Sequence, residues 1–351
     1  MKALVKTRYG KDCMEYMDVA EPVTEPDQLK VQVYACGICG TDIHLMHDTY
    51  PSKPPIITGH EFSGTVVEVG ENVTDFKPGD KVVTLTAVET CENCEWCRQG
   101  LRMLCKERKS VGSGCNGGFA EFVTIPARHA FHVPDGVSLV AAALCEPLAC
   151  VVRIACERTT VHAGDYVLVS GAGVMAQLTA QVAKANGGVV IMTGLEQDRE
   201  RFAVAKKLGS VSETIRVDQD GALEKIMELT DGLGPHIAYE CAGVASSADF
   251  CLKALRKTGV YAQLAIPGKP IPMDMDLSLY KEIRITNSYA SERTSWLTAL
   301  SLLEHHLVNI EPLASSILPL SEWEEGFART IGKKELKVLL MPHPQEDKHA
   351  Q

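Results

Sequence analysis

The chain has 351 residues, of which 45% are hydrophobic and 23% charged, so it can bury about two sizeable cores and is not a disordered chain. A formal net charge of −10 argues against a nucleic-acid partner, which would need a basic face. The first ten residues lack the apolar core of a signal peptide, no run approaches the roughly 18 apolar residues of a membrane span, and 13 cysteines suit a reducing compartment, so we expect a soluble, cytoplasmic protein with no membrane partner.

Short β-branched runs broken by Gly and Pro fill the first 150 residues; examples are LKVQVYACGICG, FSGTVVEVGENV, GDKVVTLTA and FAEFVTI. They predict the strands of a compact, turn-rich lobe. Cys39, His60, Glu61 and Glu146 belong to this region, in CGICGTDIH, GHEFSG and LCEPLAC. Taken singly, each has an ordinary structural explanation: a small core residue, a turn residue, or a charge at the end of a helix or strand.

Four cysteines stand in a polar stretch of this lobe, CENCEWCRQGLRMLC, with the spacing C-x2-C-x2-C-x7-C. Short Cys-x2-Cys turns let neighbouring thiolates bind one ion, and the longer return allows the chain to close the fourth position. Four sulfurs leave no open coordination position, so Cys91, Cys94, Cys97 and Cys105 predict a structural zinc site, not a catalytic one. A disulfide pair or an iron centre is the alternative.

From about Ala149 the pattern changes to strands that alternate with helices: DYVLVSGAG, LTAQVAKANGG, VVIMTGL and DRERFAVAKKLGS. Such alternation predicts a parallel sheet built from βαβ units.

A glycine-rich turn lies between the first strand and the first helix of this part. Gly171 and Gly173 allow a tight turn and let a pyrophosphate approach the start of the helix, at Val174 and Met175, where free N–H groups favour an anion. Ala176 replaces the third glycine of G-x-G-x-x-G, and alanine is tolerated there. The turn therefore predicts a dinucleotide site, with a plain strand-turn-helix as the alternative.

The second strand, in VVIMTGLEQDRERF, is expected to end at the adenosine ribose, where NAD-specific proteins usually place an acidic residue on the 2′-hydroxyl. Gly194 stands at the expected end of the strand. Glu196 or Asp198 is then the candidate for the hydroxyl, whereas Arg199 and Arg201 are candidates for the 2′-phosphate of NADP. Surface solvation is the alternative for all four, so the choice between NAD and NADP stays open.

Beyond about Thr286, a helical stretch, WLTALSLLEHHL, and a final strand, LKVLLM, are expected to return to the first lobe. We therefore expect a split catalytic domain of residues 1–148 and 287–351, with the four-cysteine lobe at about 89–107, around a dinucleotide-binding domain of residues 149–286. The predicted fold class is α/β: a doubly wound parallel sheet of the Rossmann type beside a β-rich domain.

The segments CGICGTDIH, GHEFSG, GDKV, CEPLA and SGAG, together with the four-cysteine lobe, closely resemble the zinc-dependent medium-chain dehydrogenase/reductase family. The resemblance covers nearly the whole chain, and its polyol and polyol-phosphate dehydrogenases, such as sorbitol and arabitol-phosphate dehydrogenases, are most similar, along with threonine dehydrogenases. It implies a GroES-like catalytic domain, an active site in the interdomain cleft, an oxidoreductase that uses zinc and NAD or NADP, and a homo-oligomer, either a dimer or a tetramer.

The resemblance also implies a catalytic metal site. Cys39 and His60 hold a zinc ion, with Glu61 beside them as ligand or alternate ligand. Glu146 stands where simple alcohol dehydrogenases of the family have a cysteine. In the polyol branch this carboxylate joins the metal shell directly or through water, which favours a polyhydroxylated substrate.

Two further roles follow from the resemblance. Thr41 matches the hydroxyl that accepts the alcohol proton, and His44 matches the relay that passes it towards solvent. An N-cap threonine and a surface histidine are the structural alternatives. The implied reaction moves a hydride from the carbinol carbon to nicotinamide, with zinc as Lewis acid.

Two departures from the family pattern bear on the substrate and the cofactor. The usual G-x-G-P-I-G turn is here GAGVMA, which implies a different shape of pyrophosphate site. The arginine that sorbitol dehydrogenases present to substrate is not plainly matched in SYASERTSW, where Arg293 is the candidate. We therefore expect oxidation of a secondary alcohol of a polyol or polyol phosphate. An L-threonine dehydrogenase-like oxidation of an amino-alcohol, a non-catalytic nucleotide-sensing protein of the same fold, and a zinc-ribbon nucleic-acid module are the alternatives.

Overall fold

The structure is a computed structural model that describes residues 1–343. The chain divides into two compact units. Unit 1 comprises Met1–Glu146, Ser291–Leu300 and the described residues from Leu313 onward, and unit 2 comprises Pro147–Ala290 and Ser301–Pro312. The domain limits given by the sequence stay a prediction. Among residues 1–343, no helix has the length and apolar character needed to cross a membrane.

The strands are numbered here in chain order: β1 (Lys2–Lys6), β2 (Met14–Asp18), β3 (Gln28–Gly37), β4 (Ile56–Ile57), β5 (Glu61–Val69), β6 (Lys81–Thr84), β7 (Ala87–Glu89), β8 (Lys109–Ser110), β9 (Phe122–Pro126), β10 (Ala130–His132), β11 (Tyr166–Ser170), β12 (Val189–Gly194), β13 (Glu213–Arg216), β14 (Ile237–Glu240), β15 (Val260–Gln263), β16 (Arg284–Asn287), β17 (Ala314–Pro319) and β18 (Lys337–Met341). The α-helices are α1 (Gly40–Met46), α2 (Glu95–Arg98), α3 (Leu139–Ala142), α4 (Cys145–Val152), α5 (Val174–Ala185), α6 (Arg199–Lys207), α7 (Ala222–Leu229), α8 (Ala245–Ala254), α9 (Met275–Tyr280), α10 (Arg293–Glu304) and α11 (Trp323–Ile331).

Unit 1 is mainly β-structure, and a seven-stranded sheet lies at its centre. The strand order is β10-β6-β5-β3-β18-β17, and β9 also pairs with β3. Strand β3 alternates half-buried and buried residues over most of QLKVQVYACG, as expected when one face of a strand covers a core. That core includes Phe62, Phe119 and Phe327. Antiparallel pairing of β3 with β5 and β18 brings distant parts of the chain to the C-terminal end of β3.

Unit 2 is built on a six-stranded sheet with the order β13-β12-β11-β14-β15-β16, and all neighbouring strands are parallel. Counted from its own first strand, this order is 3-2-1-4-5-6, which is that of doubly wound dinucleotide-binding folds. Strands β11 and β14 are apolar and buried along nearly their whole length, as a parallel sheet covered by helices on both faces requires. The predicted Rossmann-type sheet is therefore confirmed.

Candidate active site and metal centres

The four predicted cysteines lie together in a lobe between β7 and β8, around the short helix α2. Their sulfur atoms all lie within 4.8 Å of one another, with Cys91 Sγ 3.6 Å from Cys105 Sγ and 3.9 Å from Cys97 Sγ. A tetrahedral zinc ion with bonds of about 2.3 Å to sulfur separates its ligands by about 3.8 Å. Cys91, Cys94, Cys97 and Cys105 therefore fit a four-thiolate zinc site, and all four are free thiols, not disulfides.

Backbone N–H groups point at these sulfurs. Cys94 N–H donates to Cys91 Sγ at 3.4 Å, and Cys91 N–H donates to Cys105 Sγ at 3.5 Å. Hydrogen bonds from the backbone of Asn93 and Cys94 lower the pKa of Cys91 to about 7, although desolvation opposes them. The thiolate, which is the form that binds zinc, is thus favoured at Cys91, whereas burial raises the pKa of Cys97 to about 12.

A buried glutamate fastens this lobe to α10. The Met103 N–H donates to Glu292 Oε1 at 3.0 Å, and Glu292 is only 5% exposed. The next residue is Arg293, the predicted substrate contact. Its guanidinium lies 4.9 Å from the centre of the Phe131 ring and donates to Arg128 O at 3.1 Å. These contacts hold the start of α10 against β10, and a contact of Arg293 with substrate stays a prediction.

A second cluster joins Cys39, His60 and Glu61, whose ligand atoms all lie within 4.8 Å of one another. Cys39 is the N-cap of α1, His60 directly precedes β5, and Glu61 is the first residue of β5. Pairing of β5 with β3 places Glu61 opposite Gly37. A Cβ at residue 37 would collide with the Glu61 carboxylate, so glycine is needed for this close approach.

Asp42, which is not among the residues predicted from the sequence, supports this cluster. It is fully buried; Oδ2 accepts the Cys39 N–H at 2.9 Å, Oδ1 accepts the Gly59 N–H at 3.3 Å, and Oδ1 lies 3.8 Å from His60 Nδ1. Burial raises the pKa of Asp42, which the charge of His60 and the Cys39 N–H partly offset. The local signal was present, because an acid three residues after an N-cap residue is the pattern of a capping box.

Lys337, the first residue of β18, is a second supporting residue that is not among those predicted from the sequence. Its Nζ donates to Glu61 Oε2 at 2.6 Å, to Glu61 Oε1 at 2.9 Å and to Ile38 O at 3.2 Å, and it is buried. Burial lowers the pKa of Lys337, but Glu61 and Cys39 raise it, and the net change is upward. Both oxygens of Glu61 are therefore held by a charged partner that competes with a metal for them.

Negative groups surround His60. Burial lowers the pKa of His60, but Asp42, Cys39 and Glu146 raise it, and the result lies well above the usual range. Glu146 comes from the first turn of α4 and is 7% exposed. Surroundings that stabilise a positive imidazole also stabilise a bound cation, because both respond to the same potential. Thiolate, imidazole and carboxylate are all zinc donors, so the residues present fit a zinc ion.

Helix α1 carries both predicted proton-transfer residues. Thr41 Oγ1 lies 3.7 Å from Cys39 Sγ, beside the second cluster. His44 is exposed, and its Nδ1 lies 3.1 Å from Thr49 Oγ1. Residues three apart on a helix share a side, so Thr41 and His44 lie along one edge of α1. Their roles in proton transfer stay predictions.

The predicted dinucleotide turn joins β11 to α5. Gly171 has φ +102°, a left-handed conformation that favours glycine, and a Cβ there would lie 3.3 Å from Ala242 N. Gly173 is the N-cap of α5, and Val174 and Met175 are its first two residues. The N–H groups of a first helical turn have no intrahelical partners and form an anion-binding end.

The loop after β12 holds the predicted ribose-binding residues, which divide into two pairs. Asp198 is buried, accepts the Leu195 N–H at 2.9 Å and pairs with Arg201 at 3.2 Å, so these two residues support the loop itself.

The second pair lies on the surface. Glu196 is exposed at the end of the sheet and pairs with Arg199 at 2.8 Å. Glu196 also pairs with Arg216, which is not among the residues predicted from the sequence because it comes from the neighbouring strand β13. Gly194 is the last residue of β12, as predicted.

Two families match the chain. "Alcohol dehydrogenase GroES-like domain" matches residues 25–135, and "Zinc-binding dehydrogenase" matches residues 175–305. The first match confirms the predicted GroES-like domain beside the Rossmann-type sheet.

Curated relatives cover nearly the full chain. A sorbitol dehydrogenase of Halalkalibacterium halodurans is 38% identical over 97% of this chain and 99% of its own. A D-arabitol-phosphate dehydrogenase of Enterococcus avium is 34% identical over 99% of both chains. An L-threonine 3-dehydrogenase of Idiomarina loihiensis is 32% identical over 97% of this chain and 99% of its own.

A solved structure supports the same assignment. The crystal structure from Sinorhizobium meliloti 1021, described as a zinc-binding dehydrogenase bound to NADP, is 31% identical and superimposes with a TM-score of 0.90 over 97% of this chain and 99% of its own. The predicted fold class, enzyme class and cofactors, zinc with NAD or NADP, are thereby confirmed. The chain belongs to the zinc-dependent medium-chain dehydrogenase/reductase family and is an NAD(P)-dependent, zinc-type alcohol dehydrogenase.

Proposed function

We propose that this enzyme oxidises a secondary alcohol of a polyol or polyol phosphate. The observation that carries the proposal is the cluster of Cys39, His60 and Glu61 with the charge of Glu146 acting on it. Carboxylates beside a thiolate give a harder, more hydrophilic site, which suits a substrate with neighbouring hydroxyl groups. The names of two relatives, a sorbitol dehydrogenase and a D-arabitol-phosphate dehydrogenase, support this substrate class.

In this proposal Cys39 and His60 hold the catalytic zinc, and Glu146 or Glu61 completes the donor set. Zinc bound there supplies a Lewis acid that lowers the pKa of a substrate hydroxyl. Asp42 orients the two protein ligands, since it accepts the Cys39 N–H and faces His60 Nδ1. The thiolates of the four-cysteine lobe hold a structural zinc ion.

Thr41 accepts the proton of the substrate hydroxyl in this proposal, and His44 passes it to solvent. The position of Thr41 Oγ1 beside Cys39 Sγ supports the first role. The exposure of the His44 imidazole supports the second, because an exposed ring exchanges protons directly with water. Thr49 fixes the ring orientation through Nδ1.

The cofactor lies across the carboxyl ends of the unit 2 strands in this proposal. Gly171, Gly173, Val174 and Met175 bind its pyrophosphate through the anion-binding end of α5. Gly194, Glu196 and Arg199 face the adenosine ribose. Glu196 offers a carboxylate to the 2′-hydroxyl of NAD, whereas Arg199 and Arg216 offer guanidinium groups to the 2′-phosphate of NADP.

Oxidation of an amino-alcohol is the second candidate, and the relative named L-threonine 3-dehydrogenase favours it. Such a substrate needs a carboxylate for its ammonium group. The zinc ligands are shared by both candidates, so the substrate panel below separates them directly.

We also propose that the enzyme is a homo-oligomer. Strand β16 lies at the edge of the unit 2 sheet, and an unpaired edge can pair with the same strand of a second chain. The preceding helix, α9, exposes between 59% and 75% of Met275, Leu279 and Tyr280, and β16 itself exposes Ile285. Exposed apolar groups beside an open edge favour self-association.

The test is cofactor reduction, followed by near-ultraviolet absorbance, with NAD or NADP across polyols, polyol phosphates and threonine, with and without a chelator. We expect chelator-sensitive turnover on a polyol or polyol phosphate. Turnover on threonine alone would replace the first candidate with the second. If the protein binds zinc and cofactor but reduces the cofactor with none of these substrates, the result would favour a nucleotide-sensing protein.

A further inference from the structure

A buried glutamine on α5 contacts both parts of the adenosine-binding region described above. Gln177 is fully buried, and its Nε2 donates to Ala172 O at 3.3 Å and to Arg201 O at 2.9 Å. Nε2 also lies 3.9 Å from Met192 Sδ, a weak acceptor. Because the two closer partners are carbonyl oxygens, the orientation of the amide is fixed: the reverse orientation would set oxygen against oxygen. The side chain thus links the turn before α5 to the helix α6 that follows the ribose loop.

The first of these bonds sets the direction of an N–H group in the pyrophosphate turn. Ala172 C=O and Gly173 N–H belong to one planar trans peptide, in which the two groups point in opposite directions. The Gln177 amide holds the Ala172 carbonyl so that it points into the protein interior, and Ala172 itself is only 2% exposed. The Gly173 N–H is therefore directed outward, to the end of α5 where an anion binds.

The second bond acts on the ribose loop. Arg201 O accepts a hydrogen bond from Gln177 Nε2, and the Arg201 guanidinium pairs with Asp198 at 3.2 Å. Asp198 in turn accepts the Leu195 N–H, which fixes the chain directly after Gly194. One side chain therefore sets the spacing between the turn and the loop.

The amide makes these contacts at a cost. Gln177 Oε1 is buried and accepts no hydrogen bond among the described residues. A buried acceptor without a partner destabilises a fold, so packing alone favours an apolar residue here. The two donated bonds are what distinguishes glutamine from leucine at this position.

We propose that Gln177 is a positioning residue for the cofactor, which holds the pyrophosphate turn and the ribose loop at the separation that the ADP-ribose half of NAD(P) requires. This inference rests on the cofactor site of the proposed function.

The test compares Gln177→Leu with Gln181→Leu in the zinc-loaded, full-length enzyme. Gln181 lies one turn further along α5, is also buried and also has an unpartnered amide atom, but it accepts the Asn309 N–H at 2.7 Å and, within residues 1–343, forms no hydrogen bond to the turn or the loop. Calorimetry measures binding of ADP-ribose, which spans the turn and the loop, and of nicotinamide mononucleotide, which lacks the adenosine ribose. Thermal unfolding and steady-state kinetics accompany both variants.

We expect Gln177→Leu to weaken ADP-ribose binding about tenfold, equivalent to about 1.4 kcal/mol. The variant loses less affinity for nicotinamide mononucleotide. Its KM for the cofactor rises, whereas its KM for the alcohol is unchanged. Gln181→Leu binds ADP-ribose as the wild type does. Equal losses in both variants, or wild-type binding by Gln177→Leu, would overturn the proposal. Failure of the wild type to bind NADH and NADPH would instead overturn the cofactor site on which it rests.

Discussion

A buried ion pair joins Lys337 to Glu61, a member of the cluster of Cys39, His60 and Glu61. Both groups are buried, and Nζ contacts both carboxylate oxygens. Removing one member of a buried pair leaves a charge that has neither solvent nor a partner. The remaining Glu61 carboxylate would then be available to a metal ion.

We expect Lys337→Met to lower the free energy of unfolding by about 3 to 5 kcal/mol, because it leaves the buried Glu61 carboxylate without its counter-ion. Denaturant unfolding of the metal-free protein measures the change. The double variant Lys337→Met/Glu61→Gln removes both charges and recovers part of the loss. Lys2→Met, at an exposed pair with Asp18, is the matched control and changes little. A loss at Lys337 no larger than that at Lys2 would contradict this account of the pair.

Asp42 contacts both proposed zinc ligands, Cys39 and His60, and should act on zinc binding through them. We expect Asp42→Asn to weaken zinc binding at the catalytic cluster roughly 10- to 100-fold, as losses of such supporting carboxylates do. Competition with a chelator of known affinity, with metal analysis, measures the change. Asp48→Asn is the control, since Asp48 bonds Lys6 and Gly10 near the other end of α1. Comparable zinc loss from both variants would show that the effect passes through the stability of α1 and not through His60.

At the scale of elements, the two clusters differ in how they are built. The four cysteines come from one short loop between β7 and β8, whereas the proposed catalytic cluster of Cys39, His60 and Glu61 combines the N-cap of α1 with the start of β5. The first is closed by sulfur on all sides, and the second contains mixed donors. The two sites should therefore respond differently to loss of a thiol.

We expect Cys39→Ser to lose one zinc ion per chain together with activity, because it removes a ligand of the catalytic cluster. Cys94→Ser should lose the other ion and mainly lower the thermal midpoint, since the lobe is then held only by contacts such as that of Glu292 with Met103. Metal analysis, turnover and thermal unfolding of both variants provide the comparison. Equal metal content in Cys39→Ser and the wild type would contradict the catalytic assignment.

The same contrast explains what the sequence predicted. The four-cysteine site and the βαβ order rest on local spacing and periodicity, which the chain displays directly. Asp42 had a local signal in its capping pattern, but its approach to His60 depends on the fold. Lys337 and Arg216 had no local signal, because their contacts depend on strand pairing: β18 and β5 both pair with β3, and β13 pairs with β12. Gln177 lies in a helix that the pattern predicted, yet its partners come from a separate turn and helix.

At the scale of the whole molecule, self-association should depend on one sheet edge. We expect light scattering with size-exclusion chromatography to show that the wild type is a dimer or tetramer. Ile285→Lys should shift the oligomer towards monomer, because a charge on β16 opposes pairing of this edge strand with a second chain. Ile317→Lys is the matched control: it places the same charge on an exposed isoleucine of β17, the edge strand of the unit 1 sheet. A monomeric wild type, or equal dissociation by both variants, would contradict the assignment to β16.

The return of the chain to unit 1 through β17 and β18 has a consequence during synthesis. Glu61 and Lys337 are 276 residues apart, so at about 5 to 20 residues per second the ribosome makes the lysine on the order of 15 to 55 s after the glutamate. Until then β3 lacks β18, and the Glu61 carboxylate has no buried counter-ion. The unit 2 strands, β11 to β16, follow one another without interruption and can pair earlier. On the ribosome, the second unit in chain order should therefore become protease-resistant first, and the central sheet of unit 1 should be completed only after its last strand, β18, has been made.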